Sequence, residues 1–267
     1  MKGHPSLHRP VGLLVLLSLC AGPVVAQDDD EKPTRMLRIL AVGETPPFIQ
    51  KIINGVRVEQ EAPAGSIPPR RVVQLNSEGE EKGNAVRLQL DNVSAAIPAG
   101  AGTVSLHSAE DGAPNSQAWH GVKMPKSTHA LALLWRDPRE KKWTKAMSLT
   151  LPDDLSAFPP GTVRIVNVSP WTVGVQFNGK NIKLPKGRSL LQGQRGTAIN
   201  DAPLVVALKD GNGKWHKIFD SVVTHTARER TNVIIYRADG EKPRRPAKVY
   251  LMREAASLAP VPKRRNR

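Results

Sequence analysis

The chain is predicted to be all-β: two β-sandwich (immunoglobulin-like) domains in tandem, with little helix. Three observations lead there. From Met36 onward, short runs rich in Val, Ile, Leu and Thr alternate with Gly, Pro, Asn and Asp punctuation, as in sandwiches and barrels. The 23 prolines and 21 glycines fall mostly between those runs, and proline, which has no N–H to give a ladder, marks connections. No stretch carries a sustained helical apolar period; DDLSAF (153–158) suffices for one turn before Pro159-Pro160.

The expected strands of the first half are 36–42, 55–60, 71–75, 85–90, 103–107, 129–135 and 143–151. Those of the second half are 162–168, 172–177, 181–184, 203–209, 215–223, 231–237 and 247–253. The sharpest local signal is TVGVQFNGKNIKL (172–184), where Asn178-Gly179 sits between two alternating runs. Both central residues of a type I′ turn need positive φ, which Asn and Gly accept. A two-residue loop sets Phe177 opposite Lys180, Val175 opposite Ile182 and Val173 opposite Leu184. Trp171, Val173, Val175 and Phe177 then share an apolar face with Ile182 and Leu184, while Thr172, Gly174, Gln176, Asn181 and Lys183 take a polar one. On this alternation Trp171 points into the core. IINGVRV (52–58) repeats the Asn-Gly device.

Residues 1–26 read as a signal peptide: Lys2, His4, His8 and Arg9, then the apolar run Val11–Leu19, then small residues up to Ala26, after which cleavage is expected. The apolar run is too short to span a bilayer as a helix. The single cysteine, Cys20, lies inside this segment, so the mature chain has no thiol, disulfide or cysteine ligand. Leu19, where a lipoprotein signal puts a small residue, argues against lipid anchoring at Cys20. Residues 27–35 are a flexible leader, 36–158 the first β domain and 161–255 the second, with a basic C-terminal tail at 256–267. Export without a disulfide framework points to a bacterial protein, periplasmic or extracellular.

The net charge is +15, of which residues 241–267 hold nine Lys/Arg against two Glu. Basicity is therefore a property of the end of the chain, where Lys263, Arg264, Arg265 and Arg267 cluster. Such an end would hold an anionic envelope polymer, a membrane surface or a protein partner by salt-sensitive contacts; export makes nucleic acid a poor candidate.

Catalytic signatures are absent: no G-x-S-x-G, no H-E-x-x-H, no P-loop and no calcium loop occurs. His107, His120, His129, His216 and His225 are scattered without ligand spacing. The sequence thus predicts no catalytic residues, no metal site and no cofactor. A hydrolase would need a site assembled from distant residues.

Five tryptophans, Trp119, Trp135, Trp143, Trp171 and Trp215, dominate an aromatic content of 4%. LALLWRDPREKKWTKAMSLTL (131–151) and LVVALKDGNGKWHKIFDSVV (204–223) share a strand, a charged turn, Lys-Trp-x-Lys and a second strand, which suggests a duplicated unit. Trp143 with Lys142 and Lys145, and Trp215 with Lys214 and Lys217, are the candidate binding residues, for exposed rings flanked by lysines suit a glycan. Around VRIVNVSPWTVGVQFNG the chain resembles a group of exported bacterial β-sandwich proteins of unknown function, whose strands read V-R-h-h-N-x-S (h, hydrophobic). The resemblance implies bacterial export and an all-β fold, and brings no site residues with it. The reading that follows is a non-catalytic envelope protein, an interaction or structural module whose basic C-terminus meets an anionic partner; the alternative is a carbohydrate-binding module using exposed tryptophans.

Overall fold

The computed structural model describes residues 35–47, 49–75, 83–110, 112–193, 200–239 and 243–255. The expected signal peptide with Cys20, nearly all of the expected leader, and the expected tail carrying Lys263, Arg264, Arg265 and Arg267 lie outside them. The protein is all-β, and no helix occurs among the described residues. The first strands are β1 (Arg35–Ala41), β2 (Gln50–Ile53), β3 (Val56–Glu59), β4 (Arg71–Leu75), β5 (Asn84–Arg87) and β6 (Ile97–Ala99). Next come β7 (Thr103–Ser108), β8 (His120–Lys123), β9 (His129–Arg136), β10 (Ala146–Pro152), β11 (Thr162–Asn167) and β12 (Val173–Phe177). The chain continues through β13 (Lys180–Leu184), β14 (Arg188–Gly193), β15 (Asn200–Lys209), β16 (Trp215–His225), β17 (Glu229–Arg237) and β18 (Ala247–Ala255). Every expected strand forms. Four were not anticipated as strands: β2, β6, β8 and β14.

One topology occurs twice. An inner sheet runs β10-β9-β1-β6 and an outer sheet β5-β4-β7-β8; further along the chain, β18-β17-β11-β14 and β13-β12-β15-β16 repeat both orders. Each inner sheet has a central parallel pair, β1 with β9 and β11 with β17, flanked by antiparallel strands. Arg38 of β1 therefore matches Arg164 of β11. Likewise Asp153, just after β10, matches Glu254 of β18. The two-stranded β2–β3 sheet is the one element without a counterpart among the described residues. This repeat differs from the one the sequence suggested. Trp215 opens β16, the counterpart of β8 in the repeat, whereas Trp143 lies in the β9–β10 connection, so the two Lys-Trp-x-Lys segments are not equivalent.

Three cores follow from strand alternation. Leu37, Ile39 and Ala41 of β1 face the first outer sheet, packing on Val72, Leu106 and Val122. Val163 and Ile165 of β11 face the second, packing on Val175, Phe177, Leu204 and Val206. The other faces of both inner sheets meet in a third core: Leu40, Leu131, Leu133 and Leu151 against Val166, Val168, Ile234 and Met252. Both faces of the inner strands are apolar for this reason, and β11 is buried at every residue.

At one end of that third core sits a buried charge cluster. Arg38 donates to Asp153 Oδ2 at 2.5 Å and to Glu254 Oε1 at 2.5 Å, and Arg164 donates to Asp153 Oδ1 at 3.2 Å. Each matched arginine thus reaches the carboxylate of the other half. Arg230, fully buried, donates to the Asp153 carbonyl and approaches Glu254 at 3.5 Å. Burial works against the Arg38 cation, but the hydrogen bond to Glu254 and the charges of Asp153 and Glu254 outweigh it and raise its pKa. At Arg164 burial dominates and lowers the guanidinium to about 10. Arg164 and Arg230 also flank the ring of Phe158 at 4.0 and 4.9 Å. Phe158 belongs to the 153–161 connection, which carries the single turn expected there: Phe158 N–H donates to the Asp154 carbonyl.

Candidate functional site

The second outer sheet has one face on the core and one in solvent. The register matches the hairpin geometry expected from the sequence, Val173 with Leu184, Val175 with Ile182 and Phe177 with Lys180. Asn178 and Gly179 have φ of 46° and 78°, as a type I′ turn requires. With Val173, Val175 and Phe177 buried, the solvent face carries two polar rungs. One crosses Lys183, Gly174, Ala207 and Lys217; the next crosses Asn181, Gln176, Val205 and Asp220.

Trp215 lies on this face. A Cβ placed on Gly174 would sit 3.0 Å from its Cζ3, so the ring reaches across β15 and rests over the glycine. Gly174 and Ala207 are low points in the sheet, and the indole walls a groove of about 440 Å³ lined also by Gln176, Asn181 and Lys183. Trp215 as a whole is 37% exposed. Lys209 Nζ hangs 5.4 Å from its centroid, a loose cation–π contact. Gly174→Val is expected to lift the ring off the sheet, because the branched side chain needs the space the indole fills. A red shift of Trp215 emission, read as the difference from a Trp215→Phe chain, checks this.

The β15–β16 turn aims the ring. Asp210 accepts hydrogen bonds from Asn212 N–H and Lys214 N–H, each at 2.9 Å, and meets His216 Nε2 at 2.7 Å. Gly213 supplies the left-handed residue, with φ of 80°. The His216 contact, aided by the backbone N–H groups, holds the Asp210 carboxyl below its ordinary range. The tryptophan thus leaves a rigid turn directly into the ladder.

Among the described residues, the other expected site residues do not line this groove. Trp143 is 2% exposed and belongs to the first core, its backbone N–H bonded to the Gly65 carbonyl at 2.7 Å. It offers no stacking face. Lys142 packs its stem near Gly65, and Lys145 is exposed. Of the second cluster, Lys214 is exposed in the turn before Trp215, while Lys217 is bound to Asp220 at 2.5 Å. Trp171, expected in the core, is 37% exposed. Pro170 precedes it and β12 starts only at Val173, so Trp171 never joins the ladder that would have turned it inward. The residues missed as partners of Trp215 are Gly174, Gln176, Asn181, Lys183 and Lys209. The first four were legible as the polar face of the hairpin; that β15 and β16 continue that face was not.

A larger cavity, about 590 Å³, lies against the first outer sheet between residues 61–71 and Trp119. Its walls mix Glu61 and Glu110 with Arg70 and Arg71, and Trp119 spends its indole N–H on the Trp143 carbonyl. Among the described residues, no group of three or more His, Cys, Asp or Glu side chains is placed to hold a metal ion. No known protein-family model matches the chain, and no curated protein matches it significantly.

Proposed function

We propose that this is a non-catalytic, exported bacterial envelope protein that binds an acidic glycan on the solvent face of β12, β13, β15 and β16. The observation that carries this reading is Trp215, a partly exposed tryptophan walling a groove whose polar lining is Gln176, Asn181 and Lys183, beside the apolar Val205 and Ala207. Sugar rings offer C–H groups to an aromatic face and hydroxyls to Gln176 and Asn181. The acid preference comes from Lys209 and Lys183. A sugar sliding onto the open indole face displaces the Lys209 ammonium, and a carboxylated or sulfated sugar keeps that cation as an ion pair. Two immunoglobulin-like sandwich domains in tandem, joined through the 153–161 connection, form the scaffold on this reading. The basic tail, with Lys263, Arg264, Arg265 and Arg267, adds attraction to the same anionic polymer.

The test is titration of tryptophan fluorescence with a panel of acidic and neutral polysaccharides. Saturable quenching by an acidic polymer, weakened by salt and absent with its neutral analogue, is the expected result. Silence across the panel would sink the reading. Quenching that survives intact in a Lys183→Ala/Lys209→Ala chain would remove its acidic part.

A further inference from the structure

The β2–β3 hairpin has no role in the repeated fold. Where β11 passes to β12 through a short connection, the matching step from β1 to β4 carries the whole segment 42–70. The hairpin pairs only with itself, Gln50 with Glu59 through Ile53 with Val56, and all eight strand residues are exposed. An isolated two-stranded ribbon is marginal in water and gains stability only against a third surface.

The distribution of its side chains indicates which surface. In this register Ile53 and Val56 occupy one face of the tip and Ile52 the other, with exposures of 49%, 63% and 72%. A flat protein partner covers one face of a ribbon; a lipid interface surrounds both. A basic collar flanks the apolar tip on both faces: Arg57 stands level with Ile52 on one, and Lys51 lies one rung farther back, across from Val58, on the other. Glu59 and Glu61 stand farther back. Asn54 and Gly55, with φ of 51° and 78°, close the tip in a type I′ turn. At about 3.3 Å per residue, the collar lies roughly 7–10 Å behind the turn. That matches the ~5–10 Å by which interfacial elements enter the boundary between headgroups and acyl chains.

We propose that the hairpin docks on an anionic lipid bilayer, seating Ile52, Ile53 and Val56 in the interface while Lys51 and Arg57 pair with anionic headgroups. This contact is independent of the Trp215 groove. The test uses the full chain and vesicles of phosphatidylglycerol mixed with phosphatidylcholine, with pure phosphatidylcholine as the uncharged arm. Both ends of the chain are the same in parent and variant, so their own attraction to lipid cancels. An Ile52→Ser/Ile53→Ser/Val56→Ser chain should bind the anionic vesicles about tenfold more weakly or less, with no change in thermal unfolding, since it alters no core residue. An Ile53→Trp chain should show an added blue-shifted emission with anionic vesicles alone. Equal vesicle binding by the serine chain would overturn the proposal. So would a parent that sediments as a dimer and a serine chain that sediments as a monomer with lipid binding intact, which would make a second copy the occupant.

Discussion

An Asp153→Ala chain should lose about 3–5 kcal/mol of stability, the range for breaking a buried ion pair from one side. The carboxylate is 3% exposed and takes Arg38 at 2.5 Å and Arg164 at 3.2 Å, with Arg230 at 3.8 Å. Its removal leaves three buried or nearly buried guanidinium groups with Glu254 as the one carboxylate near them among the described residues. The reason for the large effect is the stranded charge, more than the lost attraction. Chemical denaturation measures it: the midpoint should fall with little change in slope. A loss below about 1 kcal/mol, the scale of exposed pairs, would mean that water reaches the cluster. Glu254→Ala should cost less, because that side chain is 10% exposed and keeps a path to solvent.

Trp215→Ala should weaken binding of an acidic glycan by roughly thirtyfold, about 2 kcal/mol, the scale of a dominant contact residue. Stability should hardly move, because the ring rests on the sheet and not in the core. Trp171→Ala serves as the matched control: equal exposure, no place in the groove, no loss of binding. Trp143→Ala should do the opposite of Trp215→Ala. It empties a site in the first core and should cost about 3–5 kcal/mol of stability, while leaving the second outer sheet to bind as before. If Trp171→Ala abolishes binding and Trp215→Ala does not, the site has been placed on the wrong ring.

Much of the architecture was legible because local chemistry dictates it. Asn178-Gly179 and Asn54-Gly55 each specify a turn, and a two-residue turn sets the register of everything beyond it. The strands that escaped notice are poor in pattern. β6 is three residues with a proline at its centre, and β14 is an exposed edge; these matching strands each pair on one side only. The duplication was visible as an idea but attached to the wrong segments. Lys-Trp-x-Lys is a conspicuous local motif, whereas the true equivalence, Arg38-Ile39 with Arg164-Ile165, hides in strands whose faces are both apolar. The candidate site was half legible for a related reason. Periodicity assigns Gly174, Gln176, Asn181 and Lys183 to one face, but which strand lies beside β12 depends on long-range pairing that no local pattern carries.

The ion pairs that cross the third core join the two halves much as subunits are joined in a symmetric dimer. Arg38 reaches Glu254 as well as Asp153 of its own half, while Arg164 reaches Asp153, so each half presents an arginine and an acid at matching positions to its twin. Contacts of this reciprocal kind belong to two-fold assemblies. The two halves of the chain thus meet as the subunits of a two-fold dimer do, with one half carrying the β2–β3 hairpin and the other the Trp215 groove.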